Sequence, residues 1–582
     1  MGKRKRTKVE KTSRTVLAGC LMAGLLLPGA AWAETGAAAE TQTAPAASAP
    51  ASEGGSSAVG SLPALVPLRE ASEQLGAVVI YKSSDRSVSI QWAGRLIRLS
   101  HEGITVEAEG QQTAALSAKP TVGSEGRLYL PLDAFRQAFG IQADWSDKDG
   151  IEPGANETAA RAALFMRQLA SGKVQDAGAL LDSQLAAVLP PDKLAALPQQ
   201  IVSAFGPPAR LDRVSVEDNG VHVNAKLSYT SKLKAPFAIE IRFNHDGEID
   251  DLYIPSTPEA GYAAPDYDDP SAYAEEQVTV GEGTFALPGT LTIPASGEPS
   301  AVAVLVHGSG PEDRDESIGA AKTFRDLAVG LAKEGIATIR YEKRTREHTM
   351  QSATPDLTVN EETIDDALLA AEKVRSDPRF AGKPVVVIGH SQGAMLVPRL
   401  LNQDKDKAVD AAVLMAGPAE PLEDLMLTQY ENAVDRAVAA GQPDEVVSQL
   451  KQQAEAWKMT LGVIKNEAYT ADDYPANLRI PNARWWFDFR NYNGPEIART
   501  QSVPLFILQG ANDVQVDASN LDGWKSALAG RADVQYELYP KLNHLFVPSD
   551  QPSTGAEYFV PGNVPLQVSE DIASWIGKLP KK

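Results

Sequence analysis

The sequence predicts an α/β protein: a mostly parallel sheet with helices on both faces and a helical cap, preceded by two small α+β domains. Three observations carry that expectation. From about residue 275, continuous β-branched runs alternate with helical stretches: "AVAVLVHG", "TFRDLAVGLAKEG", "ATIRYEKR", "ETIDDALLAAEKVRSD", "PVVVIGHSQG", "AAVLMAG", "PLFILQG". Strands apolar at every position are buried on both faces, as a parallel sheet covered by helices requires. Before 275 the strands instead alternate apolar and polar residues, the mark of smaller sheets with one wet face. The third observation is the stretch 419–500, mostly helical and too long for a simple connection, which reads as a cap over one end of the sheet.

Taken in order, the chain opens on an export signal, residues 1–33. Lys3, Arg4, Lys5, Arg6, Lys8, Lys11 and Arg14 form its basic region, Val16 to Pro28 its apolar region, and Ala31-Trp32-Ala33 a small-x-small cleavage site. The expected location is therefore extracellular or associated with the cell envelope. Leu17-Ala18-Gly19-Cys20 offers a competing lipoprotein box that would lipidate Cys20, although almost no apolar residue precedes that cysteine. Cys20 is the only cysteine, so cleavage would leave none for disulfides, thiolate catalysis or metal binding. No later segment reaches the ~20 uninterrupted apolar residues of a membrane helix. The formal charge of −21 disfavours nucleic acid and anionic membrane as partners and says nothing about fold.

Residues 34–61, rich in Ala, Thr, Ser, Pro and Gly, read as a flexible tether. The unit 62–150 follows, with alternating strands in "AVVIYKSSDRSVSIQWAGRLIRLS" and a strand, short helix and closing strand in "LYLPLDAFRQAFGIQADWSDKDG". Its pattern V-P-L-R … L-G … L-Y-L-P-L resembles the stalk-like module at the N-terminus of copper amine oxidases. His101 is the module's only histidine, so nothing in it argues for copper. Residues 155–257 place helices first and a strand meander after, and resemble small domains of the nuclear transport factor 2 type. His222 and His245, at a strand and a turn, read as satisfied surface or edge histidines. The acidic "PDYDDPSAY", 265–273, reads as a linker to the domain 275–582.

The chemistry centres on Gly389-His390-Ser391-Gln392-Gly393, at the end of an apolar strand. A serine there fits a nucleophile elbow, a strained strand-to-helix turn that pushes the hydroxyl out of the sheet while flanking glycines keep the backbone clear. Such elbows are followed in the chain by an acid and then a histidine. Beyond His390 the only histidine is His544, in "YPKLNHLF" after the strand "VQYELYP". The acid is expected after the preceding strand, in "PLFILQGANDVQV", where Asp513 is the candidate. Asp517 is its fallback and better placed to cap the following helix. In these roles His544 takes the proton of Ser391, and Asp513 orients and stabilises the imidazole. The backbone N–H groups of Gln392 and Ser309, with Gly310 the alternative to the latter, are expected to hold the oxyanion. His307 is expected to fix its loop, His390 to lie buried beside the elbow, and His348 to sit in a polar loop. Trp485 and Trp486, in the run Trp485-Trp486-Phe487-Asp488-Phe489, are candidates for a substrate wall or for cap packing.

"HGSGPEDRD" with "GHSQG", a G-x-x-D acid loop and a terminal "NH" resembles the bacterial esterase D-type carboxylesterases of the α/β-hydrolase superfamily, over about 275–582. "YEKRTREH" departs from that pattern where such enzymes often carry a Gly-rich turn. The resemblance implies hydrolysis of short-acyl carboxylic esters by Ser391, Asp513 and His544, with no cofactor and no metal. The expected partner is a small-molecule ester, with attachment to the cell envelope through the N-terminal modules. A serine peptidase or amidase of the same fold stands as the alternative within enzymes. A cell-surface binding protein on a decayed scaffold is the alternative outside them, but it would be expected to have lost one of the three residues.

Overall fold

The apolar runs beyond residue 270 assemble, in the computed structural model, into one eight-stranded sheet. The structure describes residues 64–580 except 85, 86, 101, 109, 124, 256–260 and 296. The expected export signal, the tether 34–61, Cys20 and His101 lie outside the described residues. The strands are β1 (Tyr273–Val280), β2 (Leu287–Pro294), β3 (Ala301–Val306), β4 (Ile336–Tyr341), β5 (Val385–His390), β6 (Ala411–Met415), β7 (Leu505–Gly510) and β8 (Val534–Tyr539). Their spatial order is β1-β2-β4-β3-β5-β6-β7-β8. β1 and β2 pair antiparallel, as do β2 and β4, and every pair from β4 to β8 is parallel.

Alternate residues of the central strands feed two separate cores, which is why β3 and β6 carry no polar position. Val304, Val387 and Leu414 face one core with α2 (Asp365–Ser376), α3 (Gln392–Gln403) and α7 (Ser519–Ala527). Ala303, Val386 and Val413 face the other with α1 (Thr323–Lys333) and α8 (Leu566–Ile576). Burial on both faces makes the sheet a rigid platform for whatever its strand ends carry. Between β6 and β7 the chain leaves the sheet for α4 (Leu422–Ala439), α5 (Asp444–Ile464) and α6 (Ala483–Phe489), the helical insertion expected of a cap. Pro421 precedes α4 and Glu423 and Asp424 occupy its first turn, a start favoured by proline geometry and by the helix dipole.

The chain divides into two compact units. One comprises 218–222 and the chain from Asp251 onward, and so begins earlier than the expected border at 275. Within it the buried Asp251 carboxylate accepts the N–H groups of Met350, at 3.0 Å, and of Gln351, at 3.2 Å. The same unit buries His222, expected at a surface or edge, with Nδ1 2.7 Å from Glu347 Oε1. His348 is also buried rather than set in a polar loop, its Nε2 2.8 Å from the Ala286 carbonyl. In the other unit, strands over 78–82, 87–92, 95–99, 104–108 and 111–116 form an antiparallel meander under the helix Leu132–Phe139. The helices Thr158–Ala170 and Pro191–Phe205 follow, before strands of a four-stranded antiparallel sheet. His245, exposed at a turn, is where the alternation placed it.

Candidate active site

The site is built on the carboxyl ends of the parallel strands, beginning with the turn between β5 and α3. Ser391 has φ 53° and ψ −118°, a backbone conformation that a side chain disfavours. Such a residue costs ~1–3 kcal/mol and persists only where its surroundings hold it. Two neighbours show what holds it. A Cβ on Gly393 would stand 2.4 Å from the Val306 carbonyl oxygen and 2.5 Å from that of His307. One on Gly389 would stand 2.7 Å from the Ala394 nitrogen. Both glycines are therefore demanded by close backbone approach, and the Ser391 N–H donates to the Met415 carbonyl of the next strand at 2.8 Å.

The loops after β7 and β8 bring the acid and the histidine to this serine. His544 Nε2 lies 3.1 Å from Ser391 Oγ, and His544 Nδ1 lies 2.7 Å from Asp513 Oδ2. With Nδ1 donating to the Asp513 carboxylate, Nε2 is left to accept from the serine. Asp513 is itself fixed: Oδ1 accepts the N–H groups of Gln515 (2.8 Å) and Val516 (2.9 Å), and Oδ2 accepts from Gln509 Nε2 at 3.3 Å. Asn543 Oδ1 accepts from Leu545 N and Val547 N, both at 3.0 Å, and so braces the turn that presents His544. Asp517 instead accepts the Ser519 N–H at 2.9 Å just before α7, whose N-cap position is held by Ala518 rather than by Asp517.

Gln392 is the first residue of α3, and Ser309 and Gly310 lie in the loop after β3. That loop reaches the nucleophile, since a Cβ on Gly308 would lie 3.3 Å from Ser391 Cβ. His307 Nε2 is 3.1 Å from the Asp313 carbonyl, the loop-fixing contact expected, and burial pushes its pKa down to about 4. A neutral His307 is spoken for and leaves base chemistry to His544. Four charged or ionisable side chains around this loop are completely or almost completely buried: Glu316, Lys343, Glu362 and His390. Of these only the burial of His390 is expected from the sequence; Glu316 and Lys343 bond Gly308, His390 bonds the His544 carbonyl, and Glu362 pairs with Lys343. Glu312, also buried, has its carboxyl pushed up to about 8, first by burial and then by the charges of Glu316 and Asp313.

Trp485 and Trp486 lie on α6 and are buried. The Trp485 indole N–H donates to Glu362 at 2.5 Å, and its ring stands edge-on to Trp486 at 4.7 Å and to Phe489 at 5.2 Å. Trp486 also meets Trp457 at 4.9 Å. Of the two roles open to these rings, the contacts seen are those of cap packing. Among the described residues no group of three or more His, Cys, Asp or Glu is arranged to hold a metal ion, and no helix is long and apolar enough to cross a membrane.

Comparison with known proteins supplies a frame for this geometry. Residues 303–556 match the alpha/beta hydrolase family, and residues 62–151 match the copper amine oxidase N-terminal domain. Esterase EstD of Thermotoga maritima is 33% identical over 338 residues, which cover 58% of this chain and 76% of that protein. Among solved structures, an esterase of Pyrococcus furiosus is 14% identical with a TM-score of 0.33, covering 56% of this chain and 98% of its own. Est1E of Butyrivibrio proteoclasticus is 12% identical with a TM-score of 0.34, over 52% of this chain and 99% of its own.

Proposed function

This chain belongs to the alpha/beta hydrolase family, and from that premise we propose that it is a secreted serine carboxylesterase acting on short-acyl esters through an acyl-enzyme. The observation that carries the reading is the unbroken relay from Asp513 through His544 to Ser391 Oγ, with hydrogen bonds of 2.7 and 3.1 Å. A serine hydroxyl is a weak nucleophile until a base takes its proton. His544 Nε2 stands at that distance, and the carboxylate behind it favours the imidazolium that forms. Oγ attacks the ester carbonyl, and the negative charge that develops on oxygen is held by the N–H groups of Gln392 and Ser309. His544 then returns its proton to the leaving alkoxide. In the second half of the cycle it takes one from water, which attacks the acyl group and frees Ser391.

The reading of the chain as exported is supported by the basic, apolar and small-x-small order of residues 1–33. Attachment to the cell envelope through the first modules belongs to the same reading, and the tether-like composition of 34–61 supports it. The test is hydrolysis of a chain-length series of chromogenic esters beside aminoacyl amides, with the Ser391→Ala protein as blank. Turnover of short esters that vanishes in the blank is expected. Amide turnover exceeding ester turnover would move the assignment to a peptidase or amidase.

A further inference from the structure

Gly308, in the loop after β3, has the peptide on each of its sides held by a buried ion pair. The Gly308 N–H donates to Glu316 Oε1 at 2.9 Å, and the Gly308 carbonyl accepts from Lys343 Nζ at 2.7 Å. Each of these partners is half of a pair: Lys343 Nζ is 2.7 Å from Glu362 Oε1, and Glu316 Oε1 is 3.0 Å from His390 Nδ1. None of the four side chains is more than 2% exposed. His390 reaches further, with Nε2 2.8 Å from the backbone carbonyl of His544.

The protonation of His390 follows from its partners. A carbonyl oxygen only accepts, so Nε2 carries hydrogen toward His544. Glu316 Oε1 accepts from Gly308 and faces Nδ1, and the raised His390 and lowered Glu316 pKa favour an imidazolium beside a carboxylate. Burial works against both charges, but the partner together with the His544 carbonyl and Asp513 leaves the His390 pKa raised, and the partner together with His307 and the Gly308 N–H leaves that of Glu316 lowered. Glu316 holds this place with φ 52°, a second non-glycine residue in a disfavoured backbone region at the site.

The geometry has a consequence for the oxyanion donor. The carbonyl of Gly308 and the N–H of Ser309 belong to the same planar peptide and point in opposite directions. Whatever fixes the first fixes the second. A lysine charge on the carbonyl also draws electron density from that peptide and makes its N–H a stronger donor. We propose that the pairs Lys343–Glu362 and Glu316–His390 are positioning residues that aim the Ser309 N–H at the developing oxyanion and hold it in register with His544. The proposal rests on the esterase reading above and on Ser309 as a donor. A merely structural pair behaves differently: replacing a buried ion pair by neutral groups is often harmless or stabilising, with no effect confined to the transition state.

That difference defines the experiment, made on the full chain. Lys343→Met leaves Glu362 buried without its cation and risks misfolding, so the double variant Lys343→Met/Glu362→Gln, which removes both charges, is made beside it. Glu316→Gln, His390→Gln and His390→Leu complete the set. For each, kcat, KM and Tm are measured on a short ester, with the Kd of a reversible boronic acid whose tetrahedral adduct on Ser391 places an oxygen in the oxyanion site. The double variant should lose about 10- to 100-fold in kcat, somewhat less than removal of an oxyanion donor itself. Boronic acid affinity should fall in parallel while KM changes little. His390→Gln, which keeps a donor for the His544 carbonyl, should retain more kcat than His390→Leu. A folded double variant with kcat and boronic acid affinity within twofold of the parent overturns the proposal, as does a loss that appears only in KM. Absence of Ser391-dependent ester hydrolysis in the unaltered chain would instead overturn the esterase reading.

Discussion

At the scale of single residues, Ser391, Asp513 and His544 form one relay, so the loss of any member strips the function of the others. Ser391→Ala or His544→Ala is expected to lower ester turnover by ~10⁴-fold or more with the fold intact, and Asp513→Asn somewhat less. Near-parental turnover in pure, folded His544→Ala would remove the assignment, because no histidine follows it in the chain. A second residue, Glu312, predicts a pH dependence of stability. Its carboxyl is raised from an ordinary 4.5 to about 8 in the folded chain, first by burial and then by Glu316 and Asp313, with Lys343 and His390 opposing. The folded state therefore binds its proton more tightly than the unfolded one. That contribution to stability is fully present below about 4.5 and is lost as pH rises through about 8. Glu312→Gln, neutral at every pH, should raise Tm relative to the parent at pH 8 to 9 and lose that advantage at pH 4; thermal melts across this range decide it. The hydrogen-bonded series of Ser391, His544 and Asp513 was legible because chain order and a lone downstream histidine leave little choice. Lys343, Glu316 and Glu362 were not: a charged residue in a polar loop or at the start of a helix reads as solvated, and only tertiary packing turns it inward.

At the scale of elements, the elbow is the feature whose geometry the sequence disclosed most fully, because two glycines around a serine at the end of an apolar strand have a specific steric purpose. Gly393→Ala tests it. Its methyl would press on two backbone carbonyls of β3 and the residue after it, neither of which is a flexible side chain. A loss of ~1–3 kcal/mol in stability by overpacking is expected, with ester turnover falling more steeply as Ser391 shifts from His544. Normal turnover and Tm in this variant would mean that the turn has slack the structure does not show. The cap presents the opposite case. Its helical character was readable from spacing, but a run of aromatics looks the same whether it faces substrate or its own interior. With Trp485 hydrogen-bonded to Glu362 and both indoles buried among aromatic neighbours, Trp486→Ala should cost ~3–5 kcal/mol of stability. The acyl chain-length profile of the folded variant is expected to overlay that of the parent. A shift toward longer chains would show instead that the ring walls the acyl site.

At the scale of the whole molecule, Ser391, Asp513 and His544, both buried ion pairs and the helical insertion all lie beyond residue 300, within the unit that runs from Asp251. The acidic stretch 265–273 reads as a linker by composition, but its tyrosines are anchors. Tyr267 donates to the Val564 carbonyl at 2.6 Å and Tyr273 to Asp268 at 2.7 Å, while Tyr262, just before the stretch, donates to Asp326 at 2.6 Å. Composition counts charges and misses the rings between them, so it places a border at 275 while the compact unit already includes the chain from Asp251. Two fragments turn this into a measurement. A fragment of residues 251–582 keeps the Asp251 carboxylate on the Met350 and Gln351 N–H groups and should fold with most of the parental kcat. Its Tm should lie below that of the full chain, since it gives up His222 and leaves the buried Glu347 without that partner. A fragment beginning at Tyr267 also loses Asp251 and the Tyr262 bond to Asp326, contacts to charged groups worth ~1.5–3 kcal/mol each. It should be less stable again, with kcat unchanged where it remains folded, because none of the lost groups touches Ser391, Asp513 or His544. Melting curves and ester turnover of the two fragments beside the full chain provide the check. A fragment 251–582 that is soluble and folded yet inactive would mean that the earlier modules help to build the active site.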